Sequence, residues 1–170
     1  GTAQKEDKVI FGESQKRRYV GGKVTEDDRY LIITAANSTY GNELYVKELS
    51  QSDSPIIAIV PNFKNDYSVL ENEGSQLFVV TDKDAPNKRI VVIDVNNPAQ
   101  ENWKDLISET SQVLEPSTSS GFIFAHYMKD AVSMVKQYDY SGKLVREIQL
   151  PGLGTANGFS GKEKDKTVYF

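Results

Sequence analysis

The apolar positions of this chain come in short runs rich in Val, Ile, Tyr and Phe, cut by Gly, Asn, Asp, Ser and Pro. Helical periodicity is almost absent, and short apolar runs between turn residues predict an all-β chain. One helical turn is expected, around Asn97-Pro98-Ala99-Gln100-Glu101-Asn102. Two runs, Leu31-Ile32-Ile33 and Ile90-Val91-Val92-Ile93, are apolar at every position. Side chains on a strand alternate in facing, so such strands need cover on both sides.

The pattern repeats. EDDRYLIITAANSTYGNELYVKEL (26–49), NEGSQLFVVTDKDAPNKRIVVIDV (72–95) and TSSGFIFAHYMKDAVSMVKQYDY (118–140) each read as polar turn, apolar strand, turn and second strand. Asp28, Gly74 and Ser120 occupy equivalent turns about 46 positions apart, and Leu49, Val95 and Tyr140 close equivalent strands. Further strands are expected before the turns, at Tyr19–Thr25, Asp66–Leu70 and Gln112–Glu115. Others follow at Pro55–Val60, Trp103–Ile107 and Leu144–Leu150. Four antiparallel strands repeating every roughly 40–50 residues make a β-propeller blade. The fold class predicted is therefore an all-β partial propeller. Three complete blades are expected at 19–60, 66–107 and 112–150, with 8–13 as an outer strand of a preceding blade and 155–170 opening the next. The first residue is not Met and the last lies inside the apolar pattern KTVYF, so a segment of a larger propeller is expected. The blade faces and strand edges of a partial ring would invite self-association.

Composition narrows the function classes. The chain has 170 residues, 38% hydrophobic and 26% charged, which suits one domain with a real core. No apolar run reaches the roughly 20 residues that cross a bilayer, so no membrane partner is expected. No basic stretch followed by an apolar one marks a signal peptide in this segment, and the sequence does not assign the compartment, cytoplasmic or periplasmic. A net charge of −4 argues against nucleic acid, whose binding needs clustered Lys and Arg. The one dense basic run, Lys16-Arg17-Arg18, reads as a solvated turn. There is no Cys, hence no disulfide framework, thiolate nucleophile or Cys-based zinc site.

Candidate chemistry is thin. His126 is the single His and lies inside a strand pattern, and no G-x-S-x-G elbow exists; Gly158-Phe159-Ser160-Gly161 has the wrong spacing. A structural or rim role is expected for His126, and no catalytic residue is assigned. Asp82-Lys83-Asp84 opens like a calcium loop but fails at Pro86-Asn87 and lacks the closing Glu, so a turn is expected and no metal site. Residues 152–158 miss G-x-G-x-x-G by one position and no helix follows, so no nucleotide or other cofactor is expected. Glu26, Asp27 and Asp28 read as a solvated turn beside Arg29, and Asn37-Ser38-Thr39 is a glycosylation sequon by pattern alone. Trp103, Tyr67, Phe78 and Tyr138 are expected to pack between blades.

Five strings in order carry a family resemblance. Thr81-Asp82-Lys83-Asp84-Ala85-Pro86-Asn87-Lys88-Arg89 resembles the T-[ND]-x-x-A-P-N-x-[RK] segment of the prolyl oligopeptidase family. Gly1 to Asp7 resembles its G-T-x-Q-x-E-D segment, and Tyr19-Val20-Gly21-Gly22 with Thr25 to Tyr30 its blade start. Asn97-Pro98 to Trp103-Lys104 is similar to its D-P…W-K turn, and Gly158 to Gly161 to G-Y-S-G of the next blade. The resemblance implies the middle of a seven-bladed propeller that covers an α/β-hydrolase domain bearing a Ser-Asp-His triad. Such enzymes cut short peptides after proline, and the propeller limits access to small ones. It also implies two substrate-facing residues: Val20, before the Gly-Gly pair, and Ser38, in the loop after the following strand. Rival readings are a free-standing binding propeller for protein or peptide partners, or the propeller of an oligopeptidase that cleaves after basic residues.

Overall fold

The computed structural model describes residues 3–14 and 16–170. Gly1 and Thr2 of the Gly1 to Asp7 resemblance string lie outside the described residues. Among the described residues twelve strands form: β1 (Tyr19–Val24), β2 (Tyr30–Ala36), β3 (Glu43–Glu48), β4 (Ile56–Val60), β5 (Tyr67–Glu73), β6 (Gln76–Thr81), β7 (Arg89–Asp94), β8 (Lys104–Ile107), β9 (Glu115–Ser119), β10 (Phe122–Lys129), β11 (Val132–Tyr138) and β12 (Leu144–Glu147). They build three four-stranded antiparallel meanders, β1 to β4, β5 to β8 and β9 to β12. This is the partial propeller expected, with its ring not closed.

The repeat has a backbone basis. Asp28, Gly74 and Ser120 sit at φ of 60°, 58° and 56°, so the chain turns left-handed at the same point of each unit. Gly, Asp and Ser meet this in different ways, because only Gly takes positive φ without steric cost. Ser120-Gly121 and Asp130-Ala131 are two-residue turns with positive φ at both positions, the hairpin geometry that matches strand twist. Each sheet also slips register between its third and fourth strands, at Leu44/Tyr45, Ile90/Val91 and Gln137/Tyr138. A bulge there adds twist to the outer edge of every blade.

Strand alternation sorts the core into layers. On β6, Leu77 and Val79 point towards the first sheet, where they meet Tyr30, Ile32, Leu44 and Val46. Phe78 and Val80 point the other way, onto Ile123, Ala125 and Tyr127 of the third. On β7, Val91 and Ile93 join the first layer and Ile90 the second. The aromatics lie between blades as expected. Tyr67 stands edge-on to Trp103 at 6.0 Å, Phe78 meets the Tyr140 ring at 5.0 Å, and Tyr138 packs on the second layer. The first strands of the sheets converge on one side: β5 adjoins β9, and Lys23 of β1 reaches the Leu70 carbonyl of β5.

Several boundaries differ from expectation. The first strand of the third sheet is Glu115–Ser119, displaced from 112–115. The tight Ser120-Gly121 turn pairs Ser119 with Phe122 and sets the register backwards from there to Glu115. Pro116 is tolerated because β9 is an edge strand of its sheet. Residues 8–13 form no strand. The other strands of the blade assigned to them are not among the described residues, and a lone extended segment leaves its backbone groups unpaired. This segment instead lays Phe11 on Tyr45, ring centroids 4.8 Å apart. Residues 155–170 also carry no strand, yet they run beside β9. The Gly161 N–H donates to the Thr118 carbonyl at 3.0 Å and the Ser120 N–H to Lys162 at 2.9 Å. The helical turn is present as a single 3-10 turn, Gln100–Asn102, below which the Trp103 indole donates to the Pro98 carbonyl at 2.9 Å.

Phe78 is wholly buried between the second and third sheets. Phe78→Ala is expected to cost about 3–5 kcal/mol, the range for a large core truncation. A denaturant titration giving less than ~1 kcal/mol would show that the layer between those sheets is not the packed core described.

Candidate functional site

Folding does bring a Ser, a His and an acid together. His126 Nε2 lies 2.8 Å from Ser133 Oγ across the β10–β11 pair, and its Nδ1 lies 4.0 Å from Glu115 Oε2. The trio does not meet the needs of nucleophilic catalysis. Ser133 is 4% exposed, and its Oγ also accepts the Ala156 N–H at 2.9 Å. Glu115 is exposed and beyond hydrogen-bond reach of the imidazole. The arrangement fastens the segment after β12 to the third sheet, a structural role for His126 and Ser133.

The loop 82–88 between β6 and β7 is a turn whose carboxylates are occupied by protein donors. Asp82 Oδ1 accepts the Asp66 N–H at 2.9 Å and its Oδ2 the Tyr40 hydroxyl at 2.8 Å. Asp84, at φ 52°, pairs with Lys83. Ala85 is buried, donating to the Asp82 carbonyl and accepting from the Lys88 N–H. Asn87 bridges onward: its side-chain amide donates to the Thr110 carbonyl at 3.0 Å and its carbonyl accepts the Leu114 N–H at 2.9 Å. Among the described residues, no group of three or more His, Asp or Glu is arranged to hold a metal.

This loop is one part of a polar seam along the rim where β2 leaves and β3 enters. Asn42 makes the preceding stitch. Its Oδ1 accepts the Tyr67 N–H at 2.8 Å and its Nδ2 donates to the Tyr67 carbonyl at 3.1 Å, as a neighbouring strand would. The Gly41 N–H donates to Asp66 Oδ1 at 2.8 Å. Gly41 has φ +77°, and a Cβ there would lie 1.9 Å from the Phe63 carbonyl oxygen, so only Gly fits.

Val20 and Ser38 both lie at this rim. Val20 is on β1, opposite Ala35, and half exposed. Ser38 follows two residues after Ala36, the end of β2, and its hydroxyl donates to the Tyr40 carbonyl at 2.8 Å. A shallow groove beside them is lined by Tyr19, Gly21, Thr34, Asn42 and Tyr67. Val20 is absent from that lining because it alternates to the other face of β1 from Tyr19 and Gly21. The bond to Asp82 pushes the Tyr40 phenol above its ordinary range, since the carboxylate favours the protonated hydroxyl.

Two polar contacts were not legible in the sequence. Arg17 is not in a solvated turn: its Nε and Nη2 grip Glu43 at 2.6 and 2.9 Å, with the Glu43 side chain 4% exposed. A bidentate guanidinium supplies both carboxylate oxygens with donors, which burial otherwise takes from them. Asp27 likewise belongs to a clamp at the opposite end of the sheets. Its Oδ1 accepts the Thr25 hydroxyl at 2.7 Å and the Arg29 N–H at 3.1 Å, and its Oδ2 accepts the Asn72 amide of the next blade at 2.8 Å. Burial pushes its carboxyl up, but these donors outweigh burial and hold it below the ordinary value of 3.8. A lowered carboxyl contributes stability above its unfolded value and loses it as pH falls through the folded one. Asp27→Asn is therefore expected to lower the thermal midpoint at pH 7, and the gap from the parent should shrink as pH drops below 3.8. A gap independent of pH would show that the charge of Asp27 contributes nothing.

Comparison with known proteins agrees with this architecture. The family model described as "Prolyl oligopeptidase, N-terminal beta-propeller domain" matches residues 1–170. The chain is 50% identical over its whole length to prolyl endopeptidase of Elizabethkingia meningoseptica, and 48% identical to that of Elizabethkingia miricola. It covers 24% of each, so it spans about a quarter of the length of these relatives. Among solved structures, a prolyl endopeptidase studied for inter-domain dynamics in catalysis and specificity superposes with a TM-score of 0.78 at 29% identity. That match covers 88% of this chain and 22% of the other. Prolyl oligopeptidase B from Galerina marginata, bound to a 35mer hydrolysis and macrocyclization substrate, superposes with a TM-score of 0.83 at 23% identity. It covers 97% of this chain and 24% of the other, a likeness of fold. With its three radially packed four-stranded sheets and a family match along its entire length, this chain belongs to the prolyl oligopeptidase N-terminal β-propeller domain family.

Proposed function

We propose that this chain is a non-catalytic propeller segment of a prolyl endopeptidase-like serine peptidase, where it caps the active site and restricts access to short peptides. The observation that carries the reading is the 50% identity, along the whole chain, to a prolyl endopeptidase of which it covers 24%. An α/β-hydrolase domain of the same parent chain would supply the nucleophile, the base and the oxyanion donors. This segment supplies a stiff wall, because its middle sheet is buried on both faces against its two neighbours and its rim is stitched by side-chain amides and carboxylates. Such a wall excludes water and large proteins from the chemistry, while motion between blades or domains admits substrate. Residues 8–13 belong in this reading to the preceding blade and 155–170 to the next.

Val20 and Ser38 are the residues assigned to face short proline-containing peptides. An exposed apolar side chain on the first strand and a hydroxyl in the neighbouring loop suit a peptide lying along the rim. A free-standing binding propeller is the reading this displaces. Downstream coding sequence with a strand–helix unit bearing G-x-S-x-G, then Asp and His, separates the two.

The 170-residue chain by itself is expected to leave a proline-containing peptide intact, and hydrolysis that survives purification would overturn the non-catalytic role. Phe122 and Ile148 of the third blade and Val168 and Phe170 of the 155–170 segment line an open cleft, apolar groups that another blade would cover. The isolated chain should therefore self-associate, seen as a mass in light scattering that rises with concentration. A clean monomer at high concentration would count against a face built to be covered.

A further inference from the structure

We propose that Asp82 of the second blade is a positioning residue for the rim loop 37–42 of the first, holding its tip through the Tyr40 hydroxyl in the one conformation that meets peptide. The inference rests on the reading of this rim as the peptide side. It is argued from how unevenly the loop is held. Its C-terminal part is fixed by backbone-directed bonds: Gly41 to the Asp66 carboxylate, the Asn42 N–H to the Asn65 carbonyl, and the Asn42 amide to both backbone groups of Tyr67. The tip, Asn37 to Thr39, is exposed, and its one backbone-directed bond outside the loop is a long one, the Arg18 N–H to Asn37 Oδ1 at 3.4 Å within the same blade. It is joined to the held part through the Ser38 hydroxyl on the Tyr40 carbonyl, and Tyr40 is itself 52% exposed. The main bond that ties Tyr40 to the next blade runs from its hydroxyl to Asp82, 42 residues away in sequence, with a smaller contribution from the Asn65 side chain.

Asp82 is suited to that task because it is itself immobilised. Its other oxygen takes the Asp66 N–H, and its carbonyl closes the turn with Ala85. The bonds form a ring: Tyr40 hydroxyl to Asp82, Asp66 N–H to Asp82, and Gly41 N–H to the Asp66 carboxylate, returning to the residue beside Tyr40. An exposed hydrogen bond adds little to folding stability. A ring of them closed on rigid turns restricts a loop and lowers the ordering cost of a ligand that docks on it. The role is therefore separable from stability.

The test uses the full-length protein that carries this chain, with Tyr40→Phe, Asp82→Ala and the double variant. Amide hydrogen exchange should rise several-fold at position 40, whose N–H is bonded to Ser38 Oγ, in each single variant, with no further rise in the double, while Asn42 and Tyr67 keep their protection. With a proline-containing peptide as substrate, KM should rise several-fold at unchanged kcat, again without additivity. Tyr40→Phe removes one exposed hydroxyl, so its fold is retained where Asp82→Ala fails. Unchanged exchange at position 40 in Tyr40→Phe overturns the proposal, as does a fall in kcat at unchanged KM or additive effects in the double variant. A parent protein that cleaves no such peptide overturns the peptide-side reading and this role with it; exchange then still decides whether Asp82 holds the loop.

Discussion

A sheet whose two faces are both lined with Leu, Val, Ile and Phe has no stable arrangement in water until something apolar covers each face. The middle sheet here is such a sheet. Leu77 and Val79 look one way along β6 and Phe78 and Val80 the other, so the sheet joins its two neighbours instead of standing on a core of its own. The radial stacking, the convergence of the first strands and the position of every rim loop follow from this constraint. The polar seam then fixes what apolar packing leaves loose, because hydrocarbon contacts set distance between sheets better than they set sliding.

The seam uses side chains to imitate backbone. Asn42 offers an amide to Tyr67 with the donor and acceptor of a strand neighbour, and Asn87 links its blade to the next by side chain and carbonyl. Carboxylates do the same on the rim, where Asp66 and Asp82 accept N–H groups that the loop geometry leaves without strand partners. The loop that looks like a fragment of a calcium site is thus rich in Asp and Asn because it needs local acceptors. That economy bears on the proposed cap: a wall around a reaction has to resist shear as well as separation.

The fold was legible because period-two alternation and a repeat of turn residues are both local signals, written within each strand and hairpin. Asp28, Gly74 and Ser120 could be matched as turns from spacing alone, and all three prove left-handed. What escaped was non-local. The Arg17–Glu43 grip and the Asp27–Asn72 clamp join residues 26 and 45 positions apart, and nothing in either neighbourhood announces the partner. The start of β9 escaped for a different reason: Pro116 looks like a breaker, and only the pairing register of the finished hairpin shows that an edge strand can hold it. The rim residues Val20 and Ser38 share one end of one blade, but the groove there is lined by the neighbours of Val20, a distinction that alternation on β1 makes and family strings do not.

Asn42 has a consequence for how the chain is made. During synthesis the third strand of the first blade emerges complete, yet the partner that pins its entry, Tyr67, follows 25 residues later. A similar lag, from Asn87 to Leu114, separates the second blade from its own pin. Each blade is therefore finished by the opening of its successor, so the unit that locks during translation straddles two blades. A ribosome stall before Tyr67 has left the exit tunnel strands an unpinned hairpin, whereas a stall after it has emerged does not.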